Sequence, residues 1–376
     1  MKRLIENRIA SIAQRDCCSK KELEVKDLLD AVIVPGSSGG GGIVYNGQFL
    51  QAAMMHRGWY DDSRLQMPKC VETDSRRAIY LGNFYMCWGH CITDGLKHSW
   101  AFLPRYRQRF NFDDRIFVYT TTGPGEKLIE NFVSLWEALG VSKSQMCRIV
   151  KPTKFASVSF PEESFWLDRE SGIRFYSKEY VETINAIRRF YVPVLGQPSR
   201  TVYLSRTGWK SSKHDFGEKT LQDTICGAFG AECICPEKLS LGEQIRILAN
   251  CKNLITTEGS LAHNAVFMQD GAELVILRKA DYSNGYQYPI NQMRKLRVTW
   301  LKAHASTFFE FPDQPWRGPF FLRVTNEVGE YFNISPQWPL REYMHYLWHC
   351  IIRKCHHVLS VVKHKIVVPI IRAIFK

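Results

Sequence analysis

The chain has 376 residues, of which 45% are hydrophobic, 13% aromatic and 23% charged. This is the mixture of an ordinary folded protein and excludes disorder, collagen-like repeats and small disulfide scaffolds. At roughly 100 to 200 residues per domain, the length suggests two domains, each with an ample core. Fifty Lys and Arg against 37 Asp and Glu give a formal charge of +13. The excess is uneven. Residues 343–376 hold six basic side chains (Arg353, Lys354, Lys363, Lys365, Arg372, Lys376), five histidines and no acid, leaving +7 for the rest. No nucleic-acid motif appears. The distribution suits a protein that handles phosphorylated small molecules and touches an anionic surface.

Twelve cysteines without regular spacing point to a reducing compartment. Cys87 to Cys91, with His90 between them, and Cys233-Ile234-Cys235 come nearest to metal-ligand spacing. Neither has a second cluster, so neither a metal nor another cofactor is expected. Charges break every apolar stretch of the first 16 residues, unlike a signal peptide. No run of 18 apolar residues occurs. The expectation is a cytoplasmic protein in which the sequon Asn333-Ile334-Ser335 goes unused.

In chain order, residues 1–35 read as a short polar helix and an apolar strand. The run Gly36 to Gly42 reads as a mobile surface loop, because it leads into strand-like Ile43-Val44-Tyr45 rather than into a phosphate-cradling helix. Ala78–Leu81 and Arg115–Tyr119 are strand-like, 90–107 and 127–139 helix-like, and a further strand starts at Arg148, the βαβ rhythm of a parallel sheet. Prolines 193 and 198 mark a linker. A second alternation follows: strand Thr201–Leu204, helix Glu218–Phe229, strand Glu232–Cys235, helix Ser240–Cys251 opened by the capping pattern Ser240-Leu-Gly-Glu243, strand Asn253–Thr257, a turn, a short helix to Met268, and strand Glu273–Leu277. Two doubly wound α/β domains in tandem resemble the GT-B architecture, with a cleft between the C-terminal ends of their sheets. The tail puts Met344, Trp348, Ile351, Cys355, Val358, Val362 and Ile366 on one helical face. It could lie in an anionic membrane interface or dock on the N-terminal domain.

Three constellations carry candidate chemistry. His90 and Asp94, four apart at a helix start, are placed to remove a proton, although such a pair is also a common surface contact. Asn83 and Trp88 precede them, and Arg105 follows on the same side. Ser205 and Arg206 end the first strand of the second half, where the Arg fork can hold a phosphate, with Lys210 and Lys213 in the loop beyond. Glu258-Gly259-Ser260-Leu261-Ala262-His263-Asn264 turns from strand into helix, where backbone N–H groups and a hydroxyl suit a diphosphate and Glu258 a ribose hydroxyl. A purely structural turn gives the same pattern.

The order of His-x-x-x-Asp, Tyr203-Leu-Ser-Arg206, Cys235-Pro-Glu-Lys-Leu-Ser-Leu-Gly-Glu-Gln244 and Gly259-Ser-Leu-Ala-His-Asn264 resembles glycosyltransferase family 61, including bacterial members linked to capsular or other surface polysaccharide synthesis. The resemblance covers about residues 40–310 and is strongest over 200–280. It implies a GT-B fold of two Rossmann-like domains and inverting, metal-independent transfer of a hexosyl or pentosyl group. The donor would be a nucleotide sugar, most simply a UDP-sugar, and the acceptor a glycan or lipid-linked glycan. It also implies that His90 and Asp94 lie on the acceptor side, with Asp94 the first candidate for the base, and that Arg206 and Gly259 to Asn264 bind the nucleotide. Many members carry a His before the Gly turn and a second Gly within it; Glu258 and Leu261 stand near those places here. The expected organisation is an acceptor-side domain over 1–195, a nucleotide-sugar domain over 196–310, and a return segment with a basic tail over 311–376. A polysaccharide pyruvyl transferase-like enzyme and a non-enzymatic basic membrane-surface protein are the competing readings.

Overall fold

The computed structural model describes residues 16–37, 40–54, 67–123, 125–208, 215–281, 284–305 and 318–362. The expected N-terminal helix lies almost wholly outside them, as do Ser38, Gly39, Lys210, Lys213 and the tail beyond 362.

The apolar run at Ala78–Leu81 belongs to a longer strand, Glu72–Phe84, whose second half is buried throughout. Such a run suits a strand covered on both faces. It pairs in parallel with Arg115–Thr121 and with Thr153–Pro161, and Met146–Arg148 adds in parallel to Arg115–Thr121. The βαβ reading of this stretch therefore holds. An antiparallel wing that sequence reading missed extends the sheet: Val25–Leu29 and Val32–Ser37 pair with Thr153–Pro161, followed outward by Gly40–Tyr45 and Gln48–Phe49.

Two expectations need correction here. The glycine run is not simply a surface loop, because Val32–Ser37 and Gly40–Tyr45 are antiparallel strands of this sheet. The glycines permit close approach: a Cβ on Gly36 would meet the Thr121 carbonyl oxygen at 2.3 Å, and one on Gly41 the Gly36 nitrogen at 2.6 Å. The helix expected over 90–107 is a helix at Trp88–Ile92, two 3-10 turns at Asp94–Leu96 and Ser99–Phe102, and a helix at Pro104–Phe110. Thr93 breaks it at φ −111°, ψ −90°, and Pro104 cannot donate to a preceding turn.

The second half follows expectation closely. Glu232–Ile234, Arg200–Leu204, Cys251–Thr257, Glu273–Arg278 and Arg297–Lys302 form, in that spatial order, a wholly parallel sheet. Helix Glu218–Phe229 appears as read, and helix Leu241–Ala249 carries the Ser240/Glu243 capping box. The molecule is thus a mixed α/β protein with a large sheet in each half.

The seam between the halves is tightly packed. Helix Lys178–Tyr191 buries Ile184 and Ile187 in one cluster that also holds Leu135 and Trp136 from the first half and Leu241, Ile245, Val266 and Ile290 from the second. Arg188 donates to the Met268 carbonyl at 2.6 Å, and Arg294 to the Val266 carbonyl at 2.6 Å and Asn185 Oδ1 at 2.8 Å. The hydrophobic core therefore crosses position 195 without interruption. Helix Leu340–Val362 packs Tyr343, Tyr346, Leu347 and Cys350 on Phe216, Ala305 and Phe321. The alternative of docking on the N-terminal domain is corrected accordingly, because the aromatic partners lie in the second half.

One buried ion pair anchors the first half. Lys97, with its side chain 2% exposed, bonds Glu163 at 2.8 Å and also donates to the Met54 carbonyl. Lys97→Met should remove the buried cation beside Glu163 and cost about 3–5 kcal/mol in urea unfolding. Lys21→Ala, which removes an exposed partner of Glu162, should cost less than about 1 kcal/mol.

Candidate active site at the seam of the two halves

The helix Trp88–Ile92 lies directly against the short helix Ser260–His263, and its second residue is a glycine for a steric reason. A Cβ on Gly89 would sit 2.8 Å from Ser260 Oγ and 2.9 Å from His263 Cδ2. On the other side of the contact, Gly259 adopts φ 119°, ψ −153°, a region essentially closed to side chains. Trp88 Nε1 donates to Asn264 Oδ1 at 2.8 Å across the seam, and Cys87 Sγ lies 3.9 Å from Ser260 Oγ. The first and third constellations of the sequence are thereby brought together.

His90 Nδ1 is 2.9 Å from Asp94 Oδ2. The helix ends at Ile92, so the pair spans the break and is not two turns of one continuous helix. The same carboxylate oxygen accepts from the Tyr286 hydroxyl at 2.9 Å and from Thr93 Oγ1 at 3.4 Å. Tyr286 meets the His90 ring edge to face at 5.2 Å, and the Arg174 guanidinium lies over the Tyr286 ring at 3.6 Å. Burial and the neighbouring Asp94 charge raise the Tyr286 phenol above its ordinary range, so it remains a donor. Tyr180 donates to the Ile92 carbonyl and fixes the end of the helix.

Around this core His263, Gln287 and Glu258 are buried. His263 faces Gln287 Oε1 at 2.9 Å through Nδ1 and Asn284 Nδ2 at 3.5 Å through Nε2. Burial lowers its pKa to about 4. The ring is therefore uncharged at neutral pH, with Nδ1–H donating and Nε2 accepting. Glu258 accepts the Asn284 backbone N–H at 2.9 Å, and burial raises its carboxyl to about 7.

Arg206 occupies the C-terminal edge of the parallel sheet, 3.7 Å from Asp215. Ser205 is wholly buried and bonds Gln222 and Thr207, so it shapes the turn. Leu261 belongs to the hydrophobic core. Asn83 is buried beneath the glycine hairpin, donating to the Gly41 carbonyl at 3.1 Å. Arg105, on the helix Pro104–Phe110, pairs with Glu182 at 2.6 Å and makes none of the seam contacts described above. Lys210 lies outside the described residues. Among the described residues, no three of His, Cys, Asp and Glu converge in metal-binding geometry.

Sequence reading missed Tyr286, Arg174, Asn284 and Gln287. They contact the candidate residues only through tertiary folding, from positions well beyond the end of the third constellation or in the first half altogether. A Tyr-rich segment after the strand Glu273–Arg278 was the one local signal, and aromatic residues in such a place are usually core.

Glu258 makes a pH prediction. Its folded pKa lies above the ordinary value near 4.5, so the folded state holds more protons than the unfolded state between those values, and this group's contribution falls as pH rises through the window. Glu258→Gln should therefore gain stability relative to the parent protein from about pH 4.5 to about pH 7, then hold a constant difference. Urea unfolding of both proteins across that range checks it, and a difference independent of pH contradicts it.

Comparison with family models matches the chain to Glycosyltransferase 61 over residues 88–275. That span begins at Trp88 and includes the His90–Asp94 pair, Ser205–Arg206 and the whole Glu258–Asn264 turn. Among curated proteins, none matches. The matched half of the chain carries the motif residues that meet at the seam, and on that ground the protein belongs to glycosyltransferase family 61.

Proposed function

We propose that the protein is an inverting glycosyltransferase of GT-B type that moves a hexosyl or pentosyl group from a nucleotide sugar, most simply a UDP-sugar, to a glycan acceptor in surface or capsular polysaccharide synthesis, without a divalent metal. The observation that carries the reading is the His90–Asp94–Tyr286 arrangement, assembled from both halves beside the Gly259 turn. The 1–195 and 196–310 divisions are proposed as acceptor and donor sides, since each contributes a large sheet.

In this reading the acceptor hydroxyl oxygen attacks the anomeric carbon while the bond to the diphosphate breaks. The electron pair leaves with the nucleoside diphosphate, and the hydroxyl proton passes to His90 Nε2. This reading takes His90, rather than Asp94, as the base of the pair. Asp94 Oδ2 already accepts from Tyr286 and Thr93 and faces His90, so this oxygen is engaged within the protein. Asp94 therefore orients the imidazole and stabilises the imidazolium that forms. Arg206 and the backbone of the Gly259–Ser260 turn would meet the departing diphosphate.

His90→Ala and Asp94→Asn should each lower transfer by about 10² to 10⁴ while leaving the thermal shift with the cognate nucleotide intact. The donor itself is identified by the same screen against UDP, GDP and CMP with and without EDTA. Full turnover in folded His90→Ala removes the base assignment. No shift with any nucleotide moves weight to the pyruvyl-transferase or binding-protein readings.

Attachment to the inner face of the membrane is part of the proposal. While one face of helix Leu340–Val362 packs on the second half, Met344, Trp348, Ile351, Ile352 and Leu359 on the other are exposed, Trp348 by 65%. No acidic residue follows Glu342. An apolar face with a basic chain end fits an anionic lipid interface. No described helix is long and apolar enough to cross a membrane. Trp348→Glu should reduce cosedimentation with phosphatidylglycerol vesicles by roughly tenfold and leave thermal stability unchanged; undiminished binding refutes this role for the helix.

A further inference from the structure

Lys279 lies just beyond the strand Glu273–Arg278, at the same edge of the parallel sheet as Arg206 and Glu258, and outside the span of the family match. Its ammonium is 3.2 Å from Asp215 Oδ2, the oxygen that Arg206 approaches at 3.7 Å. The side chain is only 10% exposed and passes 4.7 Å from the ring centre of Phe320. Lys279 also acts electrostatically on Glu258, favouring its charged form. One ammonium thus stands between the two segments read as donor-binding, Ser205–Arg206 and Glu258–Asn264.

The counter-ion is built in. Asp215 belongs to the short strand Asp215–Phe216, paired in parallel with Phe320–Phe321, and Phe216 in turn packs on Tyr346 and His349 of the long C-terminal helix. This anchorage holds the carboxylate 5% exposed between two cations. Glu218, the first residue of the helix Glu218–Phe229, is 1% exposed, and its Oε2 lacks a hydrogen-bond partner. Burial and the neighbouring Asp215 charge raise the Glu218 carboxyl to about 7. Burial thus disfavours the charged form of one of the two carboxyls beside Arg206 and Lys279. Two cations share this single carboxylate, and a lysine on a sheet's C-terminal edge, beside an arginine, is suited to a dianionic ligand.

We propose that Lys279 and Arg206 together form the clamp for the donor's diphosphate, and that Asp215 is the internal anion on which both cations rest until the nucleotide arrives. The inference depends on the nucleotide-sugar reading above and assigns it a residue that reading lacks. Arg206 supplies a planar fork and Lys279 a compact point charge, both held on Asp215, so that the diphosphate is met by two different strand ends.

The test is calorimetric binding of UDP and GDP, of uridine and guanosine, and of inorganic pyrophosphate to the full chain. Lys279→Met should weaken the nucleoside diphosphate that binds by about tenfold or more and change the corresponding nucleoside by less than about twofold. Lys279→Arg should restore most of the loss, which separates charge from packing. Asp215→Asn should tighten diphosphate binding, since the competing anion is gone. A folded Lys279→Met protein with parental diphosphate affinity, or one that loses nucleoside and diphosphate equally, overturns the clamp. Weaker diphosphate binding by Asp215→Asn overturns the counter-ion role. If neither UDP nor GDP binds the parent protein, the donor reading itself fails. Pyrophosphate binding that disappears in Lys279→Met would then still support the cation pair, and its absence from the parent protein would refute it.

Discussion

The close contact between the helix Trp88–Ile92 and the turn Gly259–His263 is the constraint on which the site depends. Two helix starts from different halves can approach this closely only because Gly89 presents no Cβ and Gly259 accepts a backbone conformation denied to other residues. Their approach lets Trp88 bond Asn264 and lets the Tyr286 hydroxyl reach Asp94. Neither half holds these groups alone. The continuous hydrophobic cluster across the seam, with Arg188 bonded to the Met268 carbonyl and Arg294 to Asn185, joins the two halves.

The polar groups fall into two regimes set by burial. At the seam, His263 is neutral and Tyr286 remains protonated, and both are consumed in hydrogen bonds that orient their neighbours. Unpaired charge there would be costly. At the edge of the parallel sheet the ionised groups come in opposed sets, Arg206 and Lys279 against Asp215. Glu258 connects the regimes: it accepts the amide of Asn284, whose side chain neighbours His263, and it feels the positive charge of Arg278 and Lys279. Under the proposed mechanism, the seam would hold the oriented proton acceptor and the sheet edge would meet the departing negative charge.

The C-terminal helix has two different faces. Its aromatic face, Tyr343 and Tyr346, packs on Phe216 and Phe321, while the face with Met344, Trp348 and Ile351 stays uncovered. The packed face also steadies the strand that bears Asp215, so the tail and the sheet edge belong to one connected unit through Phe216.

The sequence by itself determined the alternation of the parallel strands, the capped helix at Ser240, the family, and the two short motifs at His90–Asp94 and Glu258–Asn264, because hydrophobic period, capping chemistry and motif order are local properties. It misread the glycine run and the helix after His90. Close backbone approach and breaks such as Thr93 and Pro104 depend on what lies across the fold, and a fully buried stretch such as Leu96 to Phe102 carries no period to read. Only the tertiary structure decided that Tyr286, Arg174 and Lys279 stand beside those motifs, that Asn83 bonds Gly41 and Arg105 bonds Glu182, and that the core runs unbroken past residue 195. Long-range contact is set by packing two sheets against shared helices, and no local pattern records which distant side chain will complete a hydrogen bond.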